Sequence, residues 1–143
     1  MSRAAIAALV HAYAERLDAG DLDGAAHLFT DATYRSGKNT YQGAPAVLAA
    51  LRRAIILHDG NPRTKHLTTN LTIEVDEAAG TGTARCYFTI LQATPTLPLQ
   101  VIGAGRLHDR FVRAGDGWRF ADRLLFIDLT GDVSQHLRPE EVG

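Results

Sequence analysis

The sequence has little of what several protein classes require. It contains one cysteine, Cys86, among 143 residues, so no disulfide can form within the chain and a reducing compartment is expected. It has no long basic run and a formal net charge of −1, so it lacks the basic segment that typically binds nucleic acid. No apolar run reaches the roughly 18 residues that span a membrane, and His11 and Glu15 interrupt the first apolar stretch where a signal peptide would need continuity. We therefore expect a cytoplasmic protein that binds neither nucleic acid nor membrane.

Metal and phosphate chemistry also lack their usual motifs. The histidines show no paired spacing of the kind that metal ligands have, and no glycine-rich loop of the phosphate-binding type precedes a helix. Cys86 has no catalytic-cysteine context and is interpreted as a core residue. We expect no metal and no cofactor.

The N-terminal third is predicted to be helical. One apolar face recurs at helical spacing and Gly20 follows it as a stop signal. Ser2 is expected to cap this helix, and Asp21 the next one. Pro45 is expected at the first position of a third helix. The predicted helices span about 4–18, 21–29 and 45–57, and the first buries Ile6, Leu9, Val10, Tyr13 and Leu17.

The remainder is predicted to form strands. A small hairpin joins 33–35 to 40–42, and four long β segments follow over 64–76, 82–93, 98–113 and 118–128. Helices first and an antiparallel meander afterwards indicate an α+β fold, which we place in a single domain over residues 1–143. Because strands of this length must bend, and glycine inside a strand marks a bend, Gly103 and Gly105 predict a curved sheet. Wrapped around the first helix, such a sheet forms a cone with an open mouth.

His66, near the start of the first long strand, is the first candidate for chemistry, because histidine titrates nearest to working pH. Simple alternation puts Leu67, Leu71, Ile73 and Val75 on one face and His66 on the other. A β-bulge near Thr69 and Asn70 would turn His66 inward. The alternative is a histidine on a half-solvated strand face.

Asp18, in the last turn of the first helix, is the second candidate. A carboxylate is unfavourable there, since a helix C-terminus prefers cations, and an acid placed against that rule suggests a tertiary partner. The alternative is a local turn with Gly20 or Asp21. The hydroxyls of Tyr13, Tyr34 and Tyr41 are further candidates for the cavity, although buried tyrosines are commonly core residues with one satisfied hydroxyl.

Four segments in the right order resemble the SnoaL-like branch of the nuclear transport factor 2-like superfamily, from about Ile6 to about Asp128. They are Tyr13-Ala14-x-x-Leu17-Asp18-x-Gly20-Asp21, Leu28-Phe29-Thr30-Asp31-Ala32, Thr64-Lys65-His66-Leu67-x-x-Asn70 and Asp116-Gly117-Trp118-Arg119-Phe120-Ala121-Asp122-Arg123. The resemblance implies an α+β cone with a pocket inside.

Within that branch the chain is similar to scytalone dehydratase, bile-acid 7α-dehydratase and hexachlorocyclohexane dehydrochlorinase. The resemblance implies an Asp18–His66 catalytic pair with Arg123 as the catalytic arginine. It departs from scytalone dehydratase at Gln92, near that enzyme's second pocket histidine, and at Leu17, where that enzyme has a tyrosine. The residues expected to bind substrate are Tyr13, Tyr34, Tyr41, Asn70, Phe88, Gln92 and Arg106.

The resulting hypothesis is a cofactor-independent lyase of the dehydratase type, or an isomerase, acting on a small hydrophobic substrate. The alternatives are a small-molecule-binding protein with the same cone and a scaffold subunit like the β subunit of ring-hydroxylating dioxygenases. Four long strands offer a face that one helical layer cannot cover, and the dehydratase relatives are trimers. We therefore expect a homo-oligomer, a trimer rather than a dimer, and a tail over 128–137 that closes over the pocket mouth or a neighbour.

Overall fold

The structure is a computed structural model and describes residues 1–141. Three helices come first, with a short hairpin between the second and the third, and four long strands follow. The helices are α1 (Ser2–Asp18), α2 (Leu22–His27) and α3 (Gly43–Ala54), with a 3₁₀ turn at Pro139–Glu141. The strands are β1 (Thr33–Ser36), β2 (Asn39–Gln42), β3 (Thr64–Asp76), β4 (Thr81–Thr94), β5 (Leu97–Ala114) and β6 (Gly117–Thr130).

All six strands join one sheet in the order β2-β1-β6-β5-β4-β3. The four long strands form the predicted antiparallel meander. The hairpin extends this sheet, because β1 pairs in parallel with β6, with Tyr34 opposite Arg123. The predicted α+β cone is confirmed, with the helices packed on one face of a curved, mostly antiparallel sheet.

The capping and stop residues predicted from the sequence match the observed helix ends in part. The Asp21 carboxylate accepts a hydrogen bond from the Gly24 N–H at 2.9 Å, as a cap should. Gly20 follows the end of α1 at φ 79°, a left-handed conformation that glycine adopts without cost. The prediction for Ser2 is wrong, because α1 begins at Ser2 and has no side-chain cap. The prediction that Pro45 is the first residue of the third helix is also wrong, since α3 begins two residues earlier, at Gly43.

The predicted bulge in β3 is present. The pairing of β3 with β4 shifts register between Thr69 and Thr72, and Asn70 adopts φ 55°. Beyond the bulge, the apolar residues of β3 pack against the core. Before it, Leu67 is 44% exposed whereas the His66 side chain is only 13% exposed. The extra residue therefore turns His66 to the helix-covered face.

The bend expected in the third long strand lies at Gly105. The pairing of β5 with β6 shifts between Ala104 and Gly105. A Cβ at Gly105 would lie 2.8 Å from the ring of Phe88, so no larger residue fits this close approach. The bend curves the sheet around α1, whose buried face is Ile6, Val10, Tyr13 and Leu17.

The segment that follows β6 returns to the end of α3. The Ile56 N–H donates to the His136 carbonyl at 2.9 Å. The Arg138 guanidinium donates to three carbonyls at the C-terminal end of α3, where a cation is favourable. We call residues 131–138 the C-terminal tail. None of the helices within residues 1–141 is long and apolar enough to cross a membrane.

Candidate active site

The Asp18 carboxylate is held by three hydrogen bonds where α1 ends against the start of β3. Its Oδ1 accepts from the Thr64 hydroxyl at 2.8 Å and lies 2.6 Å from Nδ1 of His66. Its Oδ2 accepts from the His66 backbone N–H at 2.7 Å. The carboxylate is therefore fixed by one strand and not by a local turn, and this tertiary partnership explains an acid at a helix C-terminus.

The contact with Asp18 sets the tautomer of His66. An ionised carboxylate only accepts hydrogen bonds, so the Nδ1 that faces it carries the hydrogen. Nε2 of the neutral ring is then left with a free lone pair. Both side chains are largely shielded from water, at 13% exposure for His66 and 10% for Asp18. The arrangement can accept a proton at Nε2.

Asp18 is ionised in this setting. Burial acts to raise its pKa, but the hydrogen bonds and charge of His66, together with the Thr64 hydroxyl, outweigh burial and lower the pKa below its ordinary value. The lowered pKa favours the anion at Asp18, which stabilises any positive charge that develops on the His66 ring.

A cleft of about 290 Å³ opens beside Asp18. Arg63 and Lys65 supply positive charge at its edge, and both are exposed. Leu91, Ala93 and Leu99 supply apolar surface. The cleft combines a small apolar wall with a cationic rim beside Asp18, and the His66 ring is not part of its lining. Lys65 and Leu91 pair across β3 and β4 on the outer face of the sheet, opposite the His66 ring.

Gln92, a predicted substrate-binding residue, lines this cleft and is 1% exposed. Its Nε2 donates to the carbonyls of Pro62 and Gln135 at 3.0 and 3.1 Å. Because both partners are acceptors, the amide nitrogen must face them. Its Oε1 is then a buried acceptor with no partner among the described residues. Gln92 ties the C-terminal tail to the site and keeps one acceptor free.

His136 in the C-terminal tail is a residue that sequence reasoning missed. It is 7% exposed, and burial lowers its pKa to about 4, with the charges of His66, Asp18 and His58 acting on it as well. Nε2 of His58 lies 2.8 Å from the carbonyl of Gln135, the residue before it. The only sequence signal was the expectation that the tail closes over the pocket mouth.

Arg123, the predicted catalytic arginine, lies in the core and not in the cleft. It is 0% exposed and donates to both oxygens of Asp109, at 2.8 and 2.9 Å. Burial acts to lower its pKa, but the Asp109 anion raises it. Its guanidinium lies over the rings of Tyr13 and Phe120. The positive charge is therefore neutralised inside the protein, and a catalytic role for Arg123 remains a prediction.

The other predicted substrate-binding residues are not gathered at Asp18. Tyr13, Tyr34 and Phe88 are buried in the core, where burial raises the pKa of both phenols. Tyr41 packs against the same core. None of these four side chains lines the cleft. Inside the cone, Phe29, which follows α2, packs against Tyr13 of α1 and against Tyr34 and Phe120 of the sheet.

Asn70 and Arg106 line a second cavity of about 210 Å³, together with Arg85 and His108. Arg106 is paired through two hydrogen bonds with Asp128, at 2.9 and 3.1 Å, and its guanidinium stacks on Phe126. The structure therefore separates these two residues from Asp18. No cluster of metal-ligating side chains occurs within the described part of the chain.

Comparison with known proteins agrees with this geometry at the level of fold. The SnoaL-like domain family matches residues 1–124. A variant of Rv3472, a function-unknown protein from Mycobacterium tuberculosis, is 29% identical with a TM-score of 0.71, over 86% of this chain and 69% of that one. No curated protein shows significant similarity.

Two structures from Novosphingobium aromaticivorans are similar in fold alone. One is an NTF2-like protein with a cystatin-like fold, at 22% identity and TM-score 0.73, over 88% of this chain and 81% of that one. The other is named as a candidate scytalone dehydratase, at 20% identity and TM-score 0.71, over 91% of this chain and 86% of that one.

Proposed function

The chain belongs to the SnoaL-like domain family, and from this premise we propose that it is a cofactor-independent enzyme that removes a carbon-bound proton from a small hydrophobic substrate. The reaction is a dehydratase-type elimination or an isomerisation. One observation carries the proposal: the shielded His66 ring lies 2.6 Å from an Asp18 carboxylate that has two further hydrogen bonds.

In this proposal His66 is the general base. Its Nδ1–H donates to Asp18, so Nε2 is free to take a proton from the carbon next to an activating group. The Asp18 anion holds the ring in that tautomer and stabilises the imidazolium, as the carboxylate does in hydrolase triads. In an elimination the imidazolium then returns its proton to the departing hydroxyl group, and water leaves.

A small molecule that is apolar at one end fits the cleft beside Asp18, whose lining does not include the His66 ring. Leu91, Ala93 and Leu99 form its apolar wall, and Arg63 and Lys65 lie at its edge. A volume of about 290 Å³ is at the low end of small-molecule sites, which typically span roughly 300–1,000 Å³. A substrate of one or two rings suits this size.

The test is turnover of the β-hydroxy ketone formed from benzaldehyde and acetone, which loses water to give benzylideneacetone. The product is conjugated, so its near-ultraviolet absorbance reports the reaction. General base catalysis contributes about 10²–10⁴-fold, and we expect His66→Ala and Asp18→Asn each to lower kcat by that order. The double variant should be little worse than either single one, because the two residues act as a unit.

Matched controls are His27→Ala and Asp116→Asn, since both residues are exposed and lie outside the cleft. They should leave turnover unchanged. An Asp18→Asn variant that folds normally and retains full turnover would overturn the role of the pair.

The alternative is a binding protein that holds the same kind of molecule without converting it. The size of the cleft favours a binding protein as much as an enzyme, because binding needs only the cavity. Native mass spectrometry of the purified protein would then show a co-purifying small molecule, and neither wild type nor His66→Ala would form product. In that case the two substitutions should change ligand affinity only modestly.

A further inference from the structure

A second cavity, of about 210 Å³, opens on the outer face of the sheet. Every side chain that lines it, apart from the buried Cys86, can donate a hydrogen bond. These six side chains are Asn70, Thr72, Arg85, Tyr87, Arg106 and His108. No carboxylate is among them. A cavity whose walls offer donors and positive charge is suited to an anionic ligand.

The register of three strands brings these side chains together. Arg85 of β4 lies opposite His108 of β5, and opposite Thr72 of β3 on its other side. Tyr87 and Arg106 form the next pair on the same face. Side chains directly opposite each other in antiparallel strands have Cβ atoms about 4.5–5.5 Å apart. Donors from three strands therefore converge on one place.

The bulge in β3 adds Asn70 to this group. The pairing of β3 with β4 shifts register between Thr69 and Thr72, and Asn70 lies within that shift at φ 55°. A bulge leaves its extra residue unpaired and redirects its side chain. Asn70 thereby adds an amide to the wall that Thr72 and Arg85 form.

Arg85 carries a charge that the fold does not balance. Its side chain is exposed and takes part in none of the ion pairs formed by residues 1–141. Arg106 differs, because its Nε and Nη2 donate to Asp128 at 2.9 and 3.1 Å. That pairing leaves Nη1 of Arg106 for another acceptor. The cavity thus combines one uncompensated positive charge with further donors.

Phe126 orients two of the donors. The guanidinium of Arg106 lies 4.3 Å from the centre of its ring, and the His108 ring meets the same ring edge to face at 5.2 Å. Side chains that are already held by packing lose less rotamer freedom when a ligand binds. Arg106 and His108 are therefore partly ordered before a ligand arrives.

We propose that this cavity binds a small phosphate monoester, with the phosphate between Arg85 and Arg106 and the organic group against the ring of Tyr87. A phosphate group has three strongly accepting oxygens, whereas a carboxylate has two, so phosphate makes fuller use of six donors. Arginine is the residue best suited to phosphate recognition. Tyr87 is 52% exposed, which leaves part of its ring available to the ligand.

The size of the cavity favours a monoester over the free anion. A liquid water takes about 30 Å³, and a phosphate group takes the space of only a few waters. About 210 Å³ therefore has room for a small organic group as well, and a planar ring can stack on Tyr87. The site is independent of the proposed function, because neither Asp18 nor His66 lines this cavity.

Isothermal titration calorimetry with phenyl phosphate tests the site, and Arg85→Gln removes its uncompensated charge. Arg110→Gln is the matched control. Arg110 is exposed on the same face of β5, one outward-facing pair beyond His108, and does not line the cavity.

Both substitutions remove one positive charge, so they change the long-range electrostatics alike. We expect wild type and Arg110→Gln to bind phenyl phosphate with the same Kd. Arg85→Gln should weaken binding by about tenfold or more, since it loses a charge-assisted hydrogen bond. The same Kd for all three proteins, or no saturable binding to wild type, would overturn the proposal.

Two further probes check the two parts of the ligand. Inorganic phosphate lacks the organic group, whereas benzoate keeps a ring but carries a carboxylate. We expect both to bind wild type more weakly than phenyl phosphate does. An equal Kd for inorganic phosphate would refute the monoester, and an equal Kd for benzoate would refute the preference for phosphate.

A second measurement locates the anion, because Arg63 and Lys65 are exposed at the edge of the cleft of about 290 Å³. Backbone ¹H–¹⁵N spectra of the wild-type protein are recorded as phenyl phosphate is added. We expect the amide signals of Arg85 and His108 to move, and those of Arg63 and Lys65 to stay in place. Shifts confined to Arg63 and Lys65 would place the anion in the other cleft and contradict the proposal.

Discussion

At the scale of single residues, Asp18 shows how a carboxylate becomes part of a site. It lies at the C-terminal end of α1, where the helix dipole disfavours a negative charge. Three hydrogen-bond donors from β3 stabilise the carboxylate there. Two of these donors belong to His66, so the backbone and the ring of one residue are positioned by the same anion. The third donor is the Thr64 hydroxyl, which holds Oδ1 of the carboxylate.

Thr64→Val tests that positioning role. The side chain keeps its shape and its 3% exposure but loses the hydroxyl that donates to Asp18. Hydrogen bonds to charged groups contribute about 1.5–3 kcal/mol, and we expect a loss of that size in the free energy of unfolding, measured with urea. Turnover should fall about tenfold, because Asp18 is left with the His66 donors alone. Thr83→Val, on an exposed position of β4, is the control and should change neither quantity.

At the scale of elements, the bulge in β3 decides whether there is a site at all. Side chains alternate between the two faces of a strand. Inserting or deleting one residue therefore moves all the side chains on one side of the change to the opposite face. The extra residue lies between the part of β3 that bears His66 and the part that bears the core residues Leu71, Ile73 and Val75. Both sets therefore reach the helix-covered face.

Deletion of Asn70 should separate those two sets. The apolar part of β3 is anchored in the core, so we expect His66 to move to the outer face and Leu67 to move inward. Turnover should disappear while circular dichroism still shows the α+β fold. Asn70→Gly is the control, because glycine accepts the φ of 55° without strain. A deletion variant with wild-type turnover would contradict this account of the bulge.

The C-terminal tail is the second element that bears on the site, and its docking should depend on pH. Burial lowers the pKa of His136 from 6.5 to about 4, so the unfolded chain binds a proton in this range that the folded chain excludes. The contribution is fully present above pH 6.5 and is lost as pH falls toward 4. The charges of His66, Asp18 and His58 also act on this ring, so the effect of His136 has to be isolated by substitution.

We expect wild type to lose stability relative to His136→Asn over that window, since asparagine does not titrate. The difference between the two should change by roughly 3 kcal/mol, because each pKa unit corresponds to about 1.4 kcal/mol. Urea unfolding at several pH values between 7 and 4 measures it. Parallel curves for the two proteins would show that His136 is not buried in neutral form.

At the scale of the whole molecule, the outer face of the sheet carries exposed apolar side chains. The strand register puts Leu67, Thr89, Ala104 and Leu129 in one cross-strand row. Leu67 is 44% exposed and Leu129 is 70% exposed. Tyr87, two positions from Thr89 on the same face, is 52% exposed. Exposed apolar side chains grouped on one face of a sheet are typical of association sites.

We propose that this face joins copies of the chain, in a trimer rather than a dimer. Multi-angle light scattering at micromolar concentration should give three times the chain mass. Leu129→Lys should lower the mass to that of one chain, because a charge would be buried without a partner. Thr81→Lys, at the far end of the sheet, is the control. A monomeric wild type would reject the proposal.

Local patterns in the sequence were sufficient for much of this protein. Helical spacing identified the buried face of α1, and alternation with turn signals identified the four long strands. The conflict between His66 and the apolar residues of β3 predicted the bulge, because the period of a strand is a local property. The cone follows from these elements, since long strands with internal glycines have to curve.

Contacts between distant segments were decided only by the tertiary structure. The parallel pairing of β1 with β6 has no local signal, because it depends on where two remote segments meet. Arg123 was expected at the site, but its neutralisation by Asp109 depends on the register of β5 with β6. His136 had no motif around it, and it is buried because the tail is hydrogen-bonded to α3 and β4. Periodicity acts over a few residues, whereas burial and charge pairing depend on which segments the whole chain brings together.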